Sequence, residues 1–274
     1  MEHRDIIIVC GDPIKDIYVE EFVDRDGKVR TDKLIIRPGG SLNVAHNIQK
    51  ILSETSTIIE HEPIVENHFK QELYTIIRAS LANNREITLA ENKKRKSFYE
   101  EEMVDIDNIV AGHSAVRSIN RSALVLSDYN KGVLNRECYK KVKHKFDICV
   151  VDSKYRSINT SLFETSETVI WHATNQEFCP EFARNFDWVL HSNADKPVRI
   201  LRNNKVVASL TVPNTSPVNT CGAGDTFTAS VASFLLKKGQ EITEETMTRA
   251  VQFAISCCQE VIVSPYTTAT TKKL

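Results

Sequence analysis

A chain of 274 residues is long for one domain and short for two, and it is large enough to bury most of its apolar surface in one core. Its 35 basic and 36 acidic residues leave a formal charge of -1, which argues against a dedicated nucleic-acid or membrane surface and leaves small molecules or further subunits as partners. The seven cysteines (Cys10, Cys138, Cys149, Cys179, Cys221, Cys257 and Cys258) are odd in number and never spaced CxxC, so a zinc or disulfide framework is not expected and a reducing cytoplasm is.

In chain order, DIIIVCGD (5–12) opens with an apolar run too short for a signal peptide or a spanning helix, and it reads as a buried strand. IYVEEFVDRDGKVRTDKLIIR (17–37) reads as two strands around an Asp26-Gly27 turn. SLNVAHNIQKIL repeats apolar residues at Leu42, Ala45, Ile48 and Leu52, and ENHFKQELYTIIRASL does so at Phe69, Leu73, Ile76, Ile77 and Leu81; both spacings predict helices. The segment 86–108 is charged and partly alternating. Four apolar, β-branched runs follow: ALVLSDYNKG (123–132), DICVVDSKY (147–155), TVIWHATN (168–175) and DWVLHSN (187–193). Continuous runs of this length are what strands buried on both faces look like. TFTASVASFLLKKG and TEETMTRAVQFAISC close the chain with helical patterns, the first ending in two lysines and a glycine that suit a helix C-terminus.

Strands alternating with helices predict one α/β domain spanning 1–274, with a mostly parallel sheet covered on both faces. The segments within 14–38 and 86–108 do not fit that rhythm. They read as a small antiparallel sheet that could cover a site, or as solvated hairpins without a role.

In open parallel sheets ligands bind beyond the carboxyl ends of the strands, which makes Asp12, Asp16, Asp128, Lys131, Asp152, Lys154 and Asn175 candidates. Each of them alone is more often a cap or a turn former. Gly222, Ala223 and Gly224 precede a helix whose first amides lack partners, a cradle for an anion. It is neither a Walker loop nor a full dinucleotide fingerprint. Asp225 follows at once, and a carboxylate beside a phosphate cradle is electrostatically wrong for binding. It either caps the helix or accepts the proton of an attacking hydroxyl in phosphoryl transfer. Gly39 and Gly40 in RPGGSLNVAHN lead into a second helix, with Ser41 the expected N-cap and Asn43 placed to bond a ligand's hydroxyls.

GDPIKDIY, RPGGSLNVAHN, LVLSDYNKGVL and NTCGAGDTFTAS, in that order and spanning almost the whole chain, resemble the ribokinase or PfkB family of carbohydrate kinases. The RPGG-x-x-NVA-x-N and SDYNKG forms, with VVDSKY and ATNQEF after them, are most similar to the heptose-7-phosphate kinase domain of the bifunctional lipopolysaccharide heptose enzyme, without its nucleotidyltransferase half. The resemblance implies a three-layer α/β/α sandwich with a β lid, and ATP-dependent phosphorylation of a sugar or sugar-phosphate hydroxyl with Mg2+, with a monovalent cation as a further candidate. Apolar Ile17, Val19, Phe22, Leu34 and Ile36 on the lid strands would pair with a second copy in a homodimer. The resemblance also implies Asp225 as catalytic base beside an anion hole at Gly222, Ala223 and Gly224. Asp16, Gly39, Gly40 and Asn43 would hold the sugar, with Asp128 and Lys131 near it. Lys154, Asn175, Ser192 and Asn219 would face the nucleotide, and Glu177 the metal.

Several positions depart from that pattern. Asn219 stands where the family has an acid, one residue rather than two separates Asn175 from Glu177, and DWVLHSNADKP lacks the usual glycine. A nucleoside kinase of the same fold, or a binding member without turnover, are the alternatives.

Overall fold

The computed structural model describes residues 4–23, 25–26, 29–53, 58–62, 74–80, 86–91, 111, 119–130, 144–154, 166–239 and 241–274. Strand β1 (Arg4–Gly11) lies next to the edge of the large sheet, pairing in parallel with the edge strand β4 (Ile58–Glu62) on one side and with β7 (Ile119–Asp128) on the other. The parallel order continues through β8 (Phe146–Ser153), β9 (Ser166–Thr174) and β10 (Trp188–Asn193). Two antiparallel strands, β11 (Lys196–Arg202) and β12 (Lys205–Leu210), complete an eight-stranded sheet in the order β12-β11-β10-β9-β8-β7-β1-β4.

The period of the strands explains why the runs are apolar throughout. Ile7, Val9, Ala123, Val125, Ile148, Val150 and Ile170 point into one core, with Val44 and Ile48 of α1 (Ser41–Ile51), Phe227 and Val231 of α3 (Ala223–Lys238), and Met247 and Val251 of α4 (Glu244–Val261). Their neighbours Ile6, Ile8, Leu124, Leu126, Cys149, Val151 and Trp171 point the other way, into a second core that includes Ala183 of the short α2 (Pro180–Ala183) and Phe186. Burying each such Ile, Val or Leu stabilises by about 1.5–3 kcal/mol, so β1 is anchored from both faces.

The second sheet has four strands in the order β3-β2-β5-β6. β2 (Pro13–Val23) and β3 (Val29–Gly40) form the expected hairpin, with a turn at Arg25 and Asp26. β5 (Tyr74–Ser80) lies parallel to β2, and β6 (Glu86–Glu91) antiparallel to β5. The predicted helix over 66–81 is therefore corrected where the structure describes it. The open edge of β2 is satisfied by the backbone of Tyr74–Ser80, and that pairing overrides a helical spacing carried by the β-branched Thr75, Ile76 and Ile77. Of the predicted 86–108 lid segment, the part beyond Glu91 lies outside the described residues, as do Lys131 and Cys138. None of the other six cysteines is in a disulfide. Among the described residues no helix is long and apolar enough to cross a membrane.

Candidate active site

The C-terminal ends of β1, β7, β8, β9 and β10 lie on one side of the large sheet, and the starts of α1 and α3 face them. Both helices begin at a glycine in a backbone conformation that side chains resist. Gly40 has φ +56° and Gly222 φ +81°, and neither helix has a side-chain cap. Ser41 is thus the first helical residue rather than the expected N-cap, its N–H donating to the Asp12 carbonyl at 3.0 Å. Asp225 does not cap α3 either, because Gly222 holds that position and the carboxylate turns inward.

Asp225 is buried, with 2% exposure, and it accepts two hydrogen bonds: from Asn43 Nδ2 to Oδ2 at 3.0 Å and from the Tyr129 hydroxyl to Oδ1 at 2.7 Å. Burial, reinforced by the Asp152 charge, pushes its carboxyl up to about 7 against the lowering effect of Tyr129, Asn43 and Lys154. Asn43 is itself braced by Asn47 Nδ2, which donates to its carbonyl and side-chain oxygens at 2.9 and 3.1 Å. Asn47 in turn accepts from Thr226 and from the Thr270 amide.

Behind Asp225 sits a second carboxylate of opposite character. Burial alone would raise Asp152, but Lys154, His172 and Thr228 together hold it well below the usual carboxylate range. Lys154 Nζ lies 3.4 Å from Asp152 and 2.9 Å from Glu177, and these partners outweigh its own burial and hold it above the ordinary lysine range. The directions of the bonds around His172 follow from the ionised Asp152, which can only accept. Thr228 donates to Asp152 at 3.1 Å, so its oxygen accepts from His172 Nδ1 at 3.0 Å. His172 Nε2 lies 3.0 Å from the Ser192 hydroxyl, which links the end of β10 to the same group.

The residues expected at the acceptor pocket come together in part. Asp16 is buried against Gly39, where an added Cβ would stand 2.5 Å from its Oδ2, and it accepts from Thr267 at 3.3 Å. Gly40 packs so tightly that a Cβ would lie 2.4 Å from the Asp12 carbonyl. Asp128 instead serves its own loop: it accepts from the Asn130 amide at 2.7 Å and the Ser153 hydroxyl at 3.1 Å, and burial raises its pKa.

At the cradle, the Ala223 amide turns back to the Thr220 carbonyl at 3.2 Å, which leaves the amides of Gly224 and Asp225 without an intrahelical acceptor. Gly224 lies against Asp152 and His172, where an added Cβ would be 3.8 Å from each. Asn175 is exposed on the turn after β9. Glu177 accepts from the Thr174 amide at 2.8 Å on one oxygen and pairs with Lys154 on the other.

Asn219 bonds to the small sheet and the C-terminal segment rather than to Lys154 or Ser192. Its Oδ1 accepts from the Cys221 amide at 2.7 Å, and its Nδ2 donates to the Pro265 carbonyl and the Tyr18 hydroxyl, each at 3.3 Å. Tyr129, His172, Thr228, Tyr18 and Thr267 were not singled out by sequence reasoning. Tyr18, Tyr129 and Thr228 carried a signal as members of the GDPIKDIY, SDYNKG and NTCGAGDTFTAS segments, whereas His172 and Thr267 carried none of their own.

Residues 164–274 match the family profile of the pfkB family carbohydrate kinases. No curated protein matches. Solved structures are similar over nearly their full length. Ribokinase from Thermotoga maritima has 15% identity and TM-score 0.63, covering 97% of this chain and 96% of that one. Phosphofructokinase-2 from Escherichia coli, solved with substrates and products, has 13% identity and TM-score 0.61, covering 98% and 96%. The nucleoside kinase of Methanocaldococcus jannaschii has 12% identity and TM-score 0.59, covering 98% and 95%. The fold is therefore ribokinase-like, as the sequence implied, and the match over 164–274 supports a carbohydrate kinase in general.

Proposed function

We propose that this chain is an ATP-dependent kinase that phosphorylates a hydroxyl of a sugar or sugar phosphate, with Asp225 as general base. The observation that carries the reading is one buried carboxylate in the first turn of α3, held by Asn43 and Tyr129 and raised to about 7. An acid so placed is half ionised at neutral pH and well matched to taking a proton in the transition state. In the transfer, the acceptor O–H bond breaks and its proton goes to the Asp225 carboxylate. The oxygen's electron pair forms the new bond to the γ-phosphorus, and the bond from that phosphorus to the bridging oxygen breaks with its electrons leaving on ADP. The amides of Gly224 and Asp225, at the positive end of the helix dipole, stabilise charge on the phosphoryl group as it moves.

Lys154 supports the nucleotide side: it is the cation beside the cradle, fixed by Asp152 and Glu177. Ser192 supports that side through its hydroxyl, which is held by His172 Nε2 at 3.0 Å. Magnesium bound with ATP takes most of its ligands from phosphate and water. Glu177 accepts from the Thr174 amide on one oxygen and pairs with Lys154 on the other, and the remaining lone pairs would hold a metal-bound water. A monovalent cation at Asn219 does not fit, since the amide nitrogen already points into the oxygens a cation would need.

The preference for a sugar phosphate over a nucleoside rests on the RPGGSLN and SDYNKG segments. Asp16 beside Gly39 would bond the acceptor's hydroxyls. A homodimer through the small sheet is the assembly we favour, supported by Ile36 on β3, which is 55% exposed. The decisive experiment offers ATP with a panel of sugars, sugar phosphates and nucleosides to the wild type and to Asp225→Asn. Transfer should disappear in the variant while ATP binding survives. Full activity of Asp225→Asn would sink the assignment.

A further inference from the structure

Two buried acids, Asp12 and Asp128, have no part in the transfer step, yet they act on one short stretch. Asp12 Oδ2 accepts from the Tyr129 amide at 2.8 Å, and Asp128 Oδ1 accepts from the amide of Asn130, whose φ is +56°. The Lys154 amide donates to the Asp128 carbonyl at 2.9 Å, tying the same stretch to the end of β8. What this scaffold fixes is Tyr129. Its hydroxyl lies 2.7 Å from Asp225 Oδ1, and Lys154 Nζ stands 5.3 Å from the centre of its ring.

We propose that Tyr129 is the positioning residue for Asp225, its hydroxyl fixing the carboxylate's orientation and favouring its charged form. The proposal rests on the reading of Asp225 as the base. The direction of the bond is set by chemistry, because an ionised carboxylate only accepts and the phenol is the only donor of the two. Burial also keeps the phenol from ionising, with Asp225 and Asp152 adding to that effect, so the donor persists at all working pH values.

With Oδ1 held by Tyr129 and Oδ2 by Asn43, the carboxylate cannot rotate, and each oxygen keeps one lone pair for the acceptor's proton. Other charges face this pair from several elements. Asp152 and Lys154 lie at the end of β8, the first raising Asp225 and the second lowering it. Cys221 faces Tyr129 from the cradle, while His172 of β9 and Glu177 after it act through Asp152 and Lys154. None of them touches Asp225 Oδ1, where Tyr129 acts alone among the described residues.

The test uses the full chain with 13C-labelled carboxyl groups and follows Asp225 by NMR across pH, its signal assigned by its loss in Asp225→Asn. Tyr129→Phe keeps the ring and its contact with Lys154 but removes the donor. The Asp225 midpoint should rise by roughly one pH unit, the size of one hydrogen bond to a charged group. In active protein the acidic limb of the transfer rate should rise with it. An unmoved midpoint overturns the proposal. If Tyr129→Phe does not fold, replacing the tyrosines with 3-fluorotyrosine strengthens the donor, and the midpoint should fall; an unchanged midpoint again overturns it. The titration needs no substrate, so it stands apart from the base assignment: retained transfer in Asp225→Asn would end that assignment whatever the midpoint does.

Discussion

The starts of α1 and α3 use the same backbone device for different ends. Each helix begins at a glycine with positive φ and no side-chain cap, and the two meet through the bond from Asn43 to Asp225. They differ in what their glycines exclude. At Gly40 an added Cβ would meet the Asp12 carbonyl, main chain at the junction of β1 and β2, whereas at Gly222 it would meet Asn43 Nδ2 at 2.6 Å. Backbone cannot yield without dismantling a strand, but an amide can swing away by releasing Asp225. One glycine therefore guards the fold and the other guards the bond from Asn43 to Asp225.

That contrast can be broken or sharpened by substitution. The largest effect should be on transfer in Asp225→Asn, a loss of roughly 100- to 10,000-fold measured as ATP consumption at saturating acceptor. Gly40→Ala comes next, with a loss of about 3 kcal/mol or more in denaturant unfolding from backbone overlap and positive φ. A soluble, fully stable Gly40→Ala protein would refute the fold role.

Asp225→Asn should also stabilise the protein. The carboxyl rises on folding from its ordinary value of 3.8 to about 7, so between those pH values the unfolded chain has released a proton that the folded one keeps. Raising the pH through that window favours unfolding, and the full cost, on the order of 4 kcal/mol, is present above about 7. Removing the acid should therefore raise stability at pH 8 and leave it unchanged at pH 3; equal effects at both would contradict the buried environment. Gly222→Ala should lose about 1–2 kcal/mol of stability, and its transfer rate should fall well beyond that of an equally destabilised variant. Smallest is Gly239→Ala at the end of α3, where φ is +64° and nothing lies within 4 Å of an added Cβ. It should cost about 1 kcal/mol in unfolding and leave transfer intact.

How much of this was legible in the sequence differed from one part to another. The strands β1, β7, β8, β9 and β10 were readable because burial on both faces leaves an unbroken apolar run, and α3 and α4 because their apolar residues fall at helical spacing. β5 was misread because its β-branched residues also fit a helical period, and only the open edge of β2 decides between the two. β11 and β12 went unread although Asn203 and Asn204, with φ +48° and +61°, have the conformation of a tight hairpin turn.

At the site, Asp225, Asn43 and Lys154 were legible because glycine pairs and strand ends mark where ligands reach the backbone. Ser192 was named there too, but its link through His172 to Thr228 and Asp152 was not, since one strand-interior histidine and a helix hydroxyl have no spacing of their own. Only the parallel register, which sets His172 beside Leu190 and Asp152, brings them together.

The bond between the Tyr18 hydroxyl and Thr267 joins residues 249 positions apart, and Asn219 donates to the same hydroxyl. A contact so distant in sequence gives the small sheet a late place in the order of assembly, because loop closure on that scale is slow. During synthesis β2 emerges early but lacks its anchor until Thr267 has left the ribosome. For nearly the whole of its translation the nascent chain thus lacks this bond, and a ribosome stalled shortly before Thr267 would display β2 still unfastened from the end of the chain.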